Sequence, residues 1–437
     1  MSFFIKRVRG TKDVLPPNDK IWSWVESVMK ESAAFYGFLN VRTPVIEFTE
    51  LFKLSSGETS DVVQKEMYTF DDKSGRSISL RPEFTAGVLR AILEDLNNQI
   101  LPLKLMYFGP CFRYEKPQSG RYREFFQFGI EIFGGNSVNS DIELLFLANY
   151  IFKKLGLKNV KLEINAIGCK ECHNDYRNLV LDFFNKNLNN LCSVCRARLE
   201  KNPLRIFDCK EESCQKICQN APVTVMNICK ECNRDFEEIK NTLTTCGIEY
   251  KVNPYIVRGL DYYTKFVFEF IVATQTGNLT VCGGGRYDGL SKFMGGPDLC
   301  ATGFAIGVER IIEIIKTQKI EISETNSRDL YIACLISEAK IKVTKIISKL
   351  REFGIKADIN LFEGNVKSQI QFANKAAYKY FLAFGNEEIK NNSCKIKNMS
   401  NGEIFEIVSS DDFGDNFIKT CIETVFIYNS VGPGMSS

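Results

Sequence analysis

The segment GRYREFFQFGIEIFG, from Gly120 to Gly134, restricts the possible folds more than any other part of the chain. Its side chains alternate with a period of two, which predicts a β-strand with one face in a core. The apolar face consists of Phe126, Phe128, Ile130 and Ile132, and the other face of Arg123, Phe125, Gln127, Gly129 and Glu131. This second face lacks the Lys, Thr and Ser of a solvated sheet. We therefore expect it to face a ligand, with a solvated or interface face as the alternative.

The preceding segment, LKLMYFGPCFRYEKPQSGRY, predicts the partner strand of an antiparallel hairpin. In that hairpin Arg113 can face Gln127 and Glu131 across the two strands. The planar guanidinium group of arginine binds phosphate or carboxylate with two hydrogen bonds. Arg113 is therefore a candidate anion-binding residue, and a structural ion pair between Arg113 and Glu131 is the alternative.

The segment LRPEFTAGVLRAILEDL predicts a helix that begins near Pro82. Its buried stripe consists of Val88, Leu89, Ile92, Leu93 and Leu96. Glu83 and Thr85 fall in the first turn, where such residues commonly cap the backbone N–H groups. The alternative interpretation is a carboxylate and a hydroxyl that bind an ammonium group.

Three further segments carry polar groups or glycines beside apolar strands. In VRGLDYYTKFVFEF, alternating phenylalanines follow an entrance that contains Arg258, Asp261, Tyr262 and Tyr263. GGGRYDGL (283–290) allows a close approach of the backbone to a ligand. ATGFAIGVERIIEII (301–315) indicates a strand running into a helix with Arg310 in its first turn, which is a plausible phosphate site.

The composition excludes several kinds of site. The chain of 437 residues has one histidine, His173, so a Ser-His-Asp mechanism would have to use it, and no two-histidine metal site can form within one chain. No G-x-x-x-x-G-K-[ST] phosphate loop is present. The 56 Lys and Arg nearly balance the 53 Asp and Glu, so net charge neither indicates nor excludes a nucleic-acid partner. No apolar segment could span a bilayer, and we expect a cytoplasmic protein without a membrane partner.

The patterns predict several domains. We expect a first domain in which extended segments mix with helices, a helical Cys-rich insertion within it, and a C-terminal α/β domain in which strands alternate with helices. The predicted divisions are 1–168 and 251–316 for the first domain, 169–250 for the insertion, 317–328 for a linker, 329–425 for the α/β domain and 426–437 for a tail.

The 16 cysteines are expected to be reduced thiols or metal ligands in the cytosol. Two C-x-x-C pairs, Cys192/Cys195 and Cys229/Cys232, flank Cys209, Cys214 and Cys218, and Cys169 and Cys172 precede them. Paired C-x-x-C motifs can form a tetrahedral zinc site, and buried reduced thiols are the alternative. The latter is the prediction here, and the predicted site residues include no metal ligand.

Seven segments together resemble histidyl-tRNA synthetases, which are class II aminoacyl-tRNA synthetases. In chain order they are RGTKDVLPP, DVVQKEMYTF, LRPEFTAGVLRA, FRYEKPQSGRYREFFQFGIEIFG, VRGLDYYTKFVFE, GGGRYDGL and TGFAIGVER. The resemblance covers nearly the whole chain. It implies that 1–168 and 251–316 form an α+β catalytic core built on an antiparallel sheet, and the C-terminal α/β domain looks like the anticodon-binding domain of that family. It implies an ATP-dependent histidine–tRNA ligase that forms histidyl-adenylate and transfers histidine to the 3′ end of tRNA(His).

The resemblance also implies a role for each site residue. The histidine ammonium would be held by Glu83, Thr85 and Gln127, and the imidazole by Glu131, Tyr262 and Tyr263. The catalytic residues would be Arg258 and Arg113, the ATP-binding residues Arg113, Arg121, Phe125 and Arg310, and Gln118 would meet the tRNA acceptor end. Phe84 stands where many relatives have Gly and could reshape the ammonium site, whereas Phe126, in place of a frequent His, should point to the core.

The implied partners are L-histidine, ATP, tRNA(His) and a second copy of the chain, with Pro44 matching the family's interface proline. Mg²⁺ should arrive with ATP, and no tightly bound cofactor is expected. The alternative function is a non-catalytic, synthetase-like regulatory subunit of ATP phosphoribosyltransferase in histidine biosynthesis. The retained arginines and C-terminal domain favour the enzyme.

Overall fold

The computed structural model describes residues 5–57, 60, 62–116, 120–201, 203–209, 211–256, 260, 262–274, 277–322 and 328–427. The chain forms two compact units, Met1–Ile322 and Ser323–Ser437. The strands are β1 (Leu39–Asn40), β2 (Ile46–Phe48), β3 (Thr69–Asp71), β4 (Ser77–Leu80), β5 (Leu103–Phe112), β6 (Glu124–Phe133), β7 (Val160–Gly168), β8 (Tyr250–Val252), β9 (Thr264–Thr274), β10 (Gly277–Arg286), β11 (Ala301–Gly307), β12 (Arg328–Cys334), β13 (Ala357–Ile359), β14 (Tyr378–Phe384), β15 (Ser393–Asn398) and β16 (Ile404–Val408).

The α-helices occur in both units. They are α1 (Asp19–Phe35), α2 (Thr49–Ser56), α3 (Thr85–Glu94), α4 (Asn139–Lys154), α5 (Lys170–Lys186), α6 (Ser193–Lys201), α7 (Glu212–Cys218), α8 (Lys230–Thr245), α9 (Leu290–Phe293), α10 (Val308–Gln318), α11 (Lys340–Glu352), α12 (Val366–Lys375), α13 (Asn386–Asn391) and α14 (Asp415–Cys421). Short 3₁₀ or π segments are Val62–Glu66, Leu96–Asn98, Leu188–Asn190, Pro203–Asp208, Thr224–Met226, Ser337–Ala339 and Ile422–Ile427. No helix in the described ranges is both long and apolar enough to cross a bilayer.

The first unit is built on an eight-stranded sheet in the order β1-β5-β6-β11-β10-β9-β7-β8. Its six central strands are antiparallel, and the short edge strands β1 and β8 pair in parallel. The predicted hairpin is β5–β6, in which Leu103 pairs with Phe133 and Phe112 with Glu124. The prediction of a catalytic domain on an antiparallel sheet is confirmed.

One face of this sheet carries the main core. Phe128, Ile130 and Ile132 of β6 pack there with alternating phenylalanines of β9 and with α1, α4 and α10. The helices bury apolar stripes, as Val25 and Met29 of α1 show. The alternation therefore predicted the correct buried face. The opposite face of the sheet is free to carry the polar groups described below.

Helices α5 to α8 form the predicted Cys-rich insertion between β7 and β8. The insertion has a small core of its own, which includes Val180, Phe184 and Leu199. Small cores of this kind supply limited stability, and small modules therefore often carry cross-links or metal ions.

A buried ion pair ties the loop after β6 to α4 and β10. The Arg286 guanidinium donates to one Asp141 carboxylate oxygen at 2.9 and 2.7 Å, and both side chains are 4% exposed. Arg286 also donates to the carbonyl oxygens of Gly135 and Ser137, and the Thr302 hydroxyl donates to Asp141 at 2.8 Å. The pair is therefore fully hydrogen-bonded, as a buried charge requires.

The second unit has a five-stranded sheet in the order β13-β12-β14-β15-β16. The first three strands are parallel, as the alternation of strands and helices predicted, and β15 and β16 add an antiparallel hairpin. Helix α11 packs Val343, Ile346 and Leu350 into the core of this unit. The predicted α/β domain is confirmed, and the β15–β16 hairpin is an addition to it.

Candidate active site

Glu131 lies at the centre of a cluster of hydroxyl groups on the second face of the sheet. Its carboxylate is 0% exposed. The Thr85 hydroxyl donates to one oxygen at 2.7 Å, and the Tyr107 hydroxyl donates to the same oxygen at 3.2 Å. The Tyr287 hydroxyl donates to the other oxygen. Residues from α3, β5 and the end of β10 therefore converge on a single carboxylate of β6.

Two glycines make room for this cluster. A Cβ atom at Gly303, which pairs with Glu131 across β6 and β11, would lie 1.8 Å from the Glu131 carboxylate. A Cβ atom at Gly129 would lie 2.1 Å from the Tyr107 hydroxyl. The space at Gly129, which the sequence indicated as room beside a ligand, is thus occupied by a tyrosine of the neighbouring strand.

Glu83 caps helix α3. One carboxylate oxygen accepts the Thr85 backbone N–H at 2.6 Å and the other accepts the Ala86 N–H at 3.0 Å. The capping interpretation is therefore correct. It does not exclude ligand binding, because each carboxylate oxygen has a second lone pair.

Burial dominates the electrostatics of these two carboxyl groups. Burial, together with the nearby charge of Glu83, raises the pKa of Glu131 to about 8, although the hydrogen bonds from Thr85, Tyr287 and Tyr107 oppose the shift. Burial also raises the pKa of Glu83, although backbone N–H groups and Arg113 oppose the shift. Among the described residues, no Lys or Arg forms a salt bridge with either carboxylate. For both groups to be ionised together, a ligand would have to supply a cation or further N–H donors; in its absence the raised pKa of Glu131 favours the protonated form.

Tyr262 and Tyr263 lie beside this cluster. The ring of Tyr262 is 4.8 Å from that of Tyr263 and 5.4 Å from that of Tyr287, which holds Glu131. Tyr262 and Tyr263 line a cavity of about 780 Å³ together with Thr264 and others. The structure thus brings both tyrosines to the same place as Thr85, Glu83 and Glu131. Arg258 and Asp261, which the sequence analysis placed with these tyrosines at the start of the strand, lie outside the described residues.

Arg113 does not face Glu131, and this expectation was wrong. The Arg113 backbone N–H donates to Arg123 at one end of the hairpin, whereas Glu131 pairs with Leu105 near the other end. Eight residues of strand separate Arg123 from Glu131, about 26 Å. Arg113 instead donates to the Pro82 carbonyl oxygen at 3.0 Å. The alternative of an Arg113–Glu131 ion pair is excluded for the same reason.

Arg113 and the remaining β6 residues form a second part of the site. The Arg113 guanidinium lies 5.3 Å from the centroid of the Phe125 ring. Gln127 pairs with Gly109, not with the arginine, and its side-chain oxygen accepts a hydrogen bond from the Cys111 thiol at 3.4 Å. Arg113, Phe125 and Gln127 therefore follow one another towards Glu131 along this face of the hairpin.

The two remaining arginines lie near the start of α10. Arg310 is in the first turn, as predicted, and donates to the Thr280 carbonyl oxygen at 2.6 Å. Exposed Arg121 pairs with Glu115 at 3.3 Å. A Cβ atom at Gly120 would lie 3.4 Å from Arg310 Cγ, which places the loop of Arg121 against this helix. Gln118, in the same loop, lies outside the described residues.

Sequence reasoning missed Tyr107 and Tyr287 as site residues. Tyr107 lies in β5 opposite Gly129, a register that the sequence did not specify. Tyr287 lies in the glycine-rich segment, whose glycines have a different role from the one expected. A Cβ atom at Gly284 would lie 2.3 Å from the Gly303 carbonyl oxygen, and one at Gly285 would lie 2.3 Å from that of Phe266. These glycines therefore allow β10 to pack between its neighbouring strands.

Phe84 and Phe126, the two residues that depart from the family pattern, both pack against aromatic rings. Phe84 is 2% exposed and stacks on Tyr107 with ring centroids 4.2 Å apart. Phe84 thus packs against a tyrosine whose hydroxyl donates to Glu131, and its other face meets the Arg81 guanidinium at 3.8 Å. Phe126 packs edge-on against Trp22 at 5.0 Å, on the core face where it was predicted.

Comparisons with known proteins agree over almost the whole chain. A family model described as histidyl-tRNA synthetase matches residues 10–311, and one described as an anticodon-binding domain matches residues 329–420. The chain is 45% identical over 404 residues to a histidine–tRNA ligase of Caldanaerobacter subterraneus, covering 92% of this chain and 97% of that protein. It is 46% identical over 405 residues to one of Clostridium perfringens, with coverage of 92% and 97%.

Solved structures give the same result. Apo histidyl-tRNA synthetase of S. aureus superposes with a TM-score of 0.79 at 35% identity, covering 93% of this chain and 97% of that one. A Bacillus halodurans protein titled "ATP phosphoribosyltransferase regulatory subunit/histidyl-tRNA synthetase" superposes with a TM-score of 0.64 at 20% identity, covering 88% and 100%. This second likeness shows a shared fold alone.

Proposed function

Because the chain belongs to the histidyl-tRNA synthetase family, we infer that it is a histidine–tRNA ligase that activates L-histidine with ATP and transfers it to the 3′ end of tRNA(His). One observation of the structure supports this function most directly. Glu83 and Glu131 are buried together, and neither forms a salt bridge with a described residue. Free histidine supplies an ammonium group and imidazole N–H donors, which are the groups that this pair lacks.

We propose that the substrate lies between the two carboxylates. Glu83, Thr85 and Gln127 hold the ammonium group, Glu131 accepts an imidazole N–H, and Tyr262 and Tyr263 flank the ring. The support is that Thr85 donates to Glu131 at 2.7 Å while its own N–H is bound by Glu83. A non-imidazole side chain would leave Glu131 and the surrounding hydroxyls without part of their hydrogen bonds.

The proposed chemistry relies on arginines. The histidine carboxylate is already ionised, so its attack on the ATP α-phosphate needs two anions held together and no protein base. Arg113 would bind the α-phosphate and the carboxylate, and Arg258 would stabilise the charge that develops on the phosphate. Adenine would stack on Phe125, and Arg121 and Arg310 would hold the distal phosphates. Pyrophosphate leaves as the adenylate forms. A ribose hydroxyl of the tRNA, placed with the help of Gln118, then attacks the histidyl carbonyl carbon and displaces AMP.

The metal ion, partner chain and location are parts of the same proposal. Mg²⁺ comes with ATP, keeps several waters and neutralises phosphate charge. The chain forms a homodimer, with Pro44 at the interface, and acts in the cytoplasm. The predicted divisions at 168, 250, 316, 328 and 425 are proposed as the bounds of catalytic core, insertion, linker, anticodon-binding domain and tail.

The test of the function is histidine-dependent exchange of pyrophosphate into ATP by the purified chain. We expect exchange that requires histidine and that Arg258→Ala abolishes. The absence of histidine-dependent exchange in the unmutated protein would overturn the enzyme function and favour the regulatory subunit.

The raised pKa of Glu131 makes histidine binding depend on pH. With a pKa of about 8 in the free protein, the carboxyl is largely protonated at pH 7 and largely ionised at pH 8.5. Because the ionised form accepts the imidazole N–H, the Kd for histidine should fall about 5- to 10-fold over this interval. By linkage, the free protein loses stability as the pH rises towards 8, since the folded chain holds a proton that the unfolded chain has released. Titration calorimetry at both pH values measures the first effect, and a pH-independent Kd would contradict it.

Tyr287→Phe is expected to lower kcat/KM for histidine in the exchange reaction by about 10-fold, because one buried oxygen of Glu131 loses its hydroxyl donor. Tyr331→Phe is the matched control, since Tyr331 is equally buried but its hydroxyl bonds Gln369 in the second unit. Equal activity of the two variants would argue against a role for Tyr287.

Removal of the second unit should separate the two half-reactions. A chain that ends at Ile322 keeps the complete first unit with its own core. We expect histidine-dependent exchange within about threefold of the full chain and a loss of about 10²-fold or more in kcat/KM for tRNA, because one of two linked tRNA-binding modules is gone. Aminoacylation of tRNA(His) measures the second quantity, and unchanged tRNA kinetics would contradict an anticodon-binding role.

A further inference from the structure

We propose that the insertion binds two zinc ions, each through four cysteine thiolates. The root site consists of Cys169, Cys172, Cys229 and Cys232, and the inner site of Cys192, Cys195, Cys209 and Cys214. Neither site belongs to the proposed histidine- or ATP-binding residues. The proposal replaces the prediction that these cysteines are simply buried reduced thiols.

The distances between the sulfur atoms fit a single tetrahedral ion. In each group all four Sγ atoms lie within 4.8 Å of one another. Cys169 Sγ is 3.5 Å from Cys172 Sγ, and Cys192 Sγ is 3.9 Å from Cys209 Sγ. Zinc–sulfur bonds of about 2.3 Å in a tetrahedron place the sulfurs about 3.8 Å apart. An iron–sulfur cluster needs a wider cage, because it fills the volume between its thiolates.

The way the cysteines are brought together is not expected of ordinary core thiols. The sequence suggested one site formed by both C-x-x-C pairs, Cys192/Cys195 and Cys229/Cys232, but in the structure these two pairs do not meet. Each joins a different pair, and the root site links residues 57 positions apart along the chain. The five other buried cysteines of the described chain belong to neither group; they are Cys111, Cys218, Cys282, Cys394 and Cys421. Two separate groups of four sulfur atoms in one small insertion therefore indicate two sites of the same kind, each able to bind a metal ion.

Backbone N–H groups surround the sulfurs in the manner of a thiolate site. In the root site, the Cys229 N–H donates to Cys172 Sγ at 3.1 Å and the Cys232 N–H donates to Cys229 Sγ at 3.5 Å. In the inner site, the Cys192 N–H donates to Cys214 Sγ at 3.3 Å. Cys169 and Cys229 are also the N-caps of α5 and α8, where the helix dipole favours negative charge. Such outer contacts orient and stabilise metal-bound thiolates.

The positions of the two sites give the ions a structural role. The root site joins the start of α5 to the start of α8 and so closes the base of the insertion. Cys169 also lines the cavity that contains Tyr262 and Tyr263. The inner site joins α6 to α7 within the small core of the insertion. Zinc at the two sites would therefore hold the insertion together and fix it beside the proposed histidine site.

The test is elemental analysis of the full-length chain, expressed without a metal-affinity tag and purified by gel filtration. We expect about two zinc ions per chain, because each structural ion takes four thiolates. Cys192→Ser/Cys195→Ser and Cys172→Ser/Cys229→Ser should each retain about one. Cys246→Ser is the matched control, since this cysteine is exposed at the end of α8 and belongs to neither group, and it should retain both.

A second measurement uses the unmutated chain, so that misfolding of a variant cannot obscure the result. Titration with p-hydroxymercuribenzoate in the presence of a chromophoric zinc indicator should release about two zinc ions as eight thiols react. Less than about half an equivalent of zinc in the purified protein, or iron in its place, would overturn the proposal. Because metal content is read without any assay of activity, this outcome is independent of the proposed ligase function.

Discussion

Glu131→Gln is expected to lower kcat/KM for histidine in pyrophosphate exchange by about 10²- to 10³-fold. Glutamine has the shape of glutamate but no charge, and its NH₂ group would point at hydroxyls that now donate to the carboxylate. Thr85 and Tyr107 donate to one oxygen and Tyr287 to the other, so the NH₂ group would force either the first two hydroxyls or that of Tyr287 to reverse or lose a hydrogen bond. The imidazole N–H would meet a weaker acceptor in a site closed to water.

Glu94→Gln is the matched control for this substitution. Glu94 ends the same helix that carries Thr85, but it is exposed and pairs only with Arg90 among the described residues. We expect its kcat/KM to stay within about twofold of the unmutated chain, because surface pairs contribute little. A loss of less than about threefold in Glu131→Gln would exclude Glu131 as the imidazole acceptor.

Arg286→Met is expected to lower the free energy of unfolding of the first unit by about 3–5 kcal/mol. The substitution leaves Asp141 as a buried charge without its partner. It also removes the hydrogen-bond donor of the Gly135 and Ser137 carbonyl oxygens. Both tryptophans of the chain, Trp22 and Trp24, lie in α1 of this unit. Denaturation followed by tryptophan fluorescence therefore reports on the first unit.

Two further variants distinguish this effect from a general loss of charge. Arg76→Met removes an exposed arginine that pairs with Asp72, and we expect a loss below about 1 kcal/mol. Arg286→Met combined with Asp141→Leu removes both buried charges and should recover part of the stability, because an apolar pair can replace a buried ion pair. Equal losses in Arg286→Met and Arg76→Met would contradict the role of the buried pair.

The predictions from the sequence were accurate where they depended on local periodicity. The alternation in 120–134 identified both faces of β6, and the helical stripe that begins at Pro82 identified the buried side of α3. They failed where a residue's neighbour depends on strand register. Arg113 was placed opposite Glu131, whereas pairing with Arg123 puts it at the other end of the hairpin. A shift along a strand changes every cross-strand partner, and no local pattern in this sequence specified the register.

The sequence by itself determined the two units, the core face of the sheet and, through its resemblance to a family, the ligase function. Hydrophobic alternation and motif order carry this information because each is local to one segment. Only the tertiary structure decided that Tyr107 and Tyr287 hold Glu131, that two carboxylates are buried together, and that the cysteines form two separate groups of four. The hydrogen bonds at Glu131 join residues that lie 24 to 156 positions apart, and the cysteines of one group lie up to 63 positions apart, from Cys169 to Cys232. The packing of strands and helices, and not sequence spacing, brings these residues together.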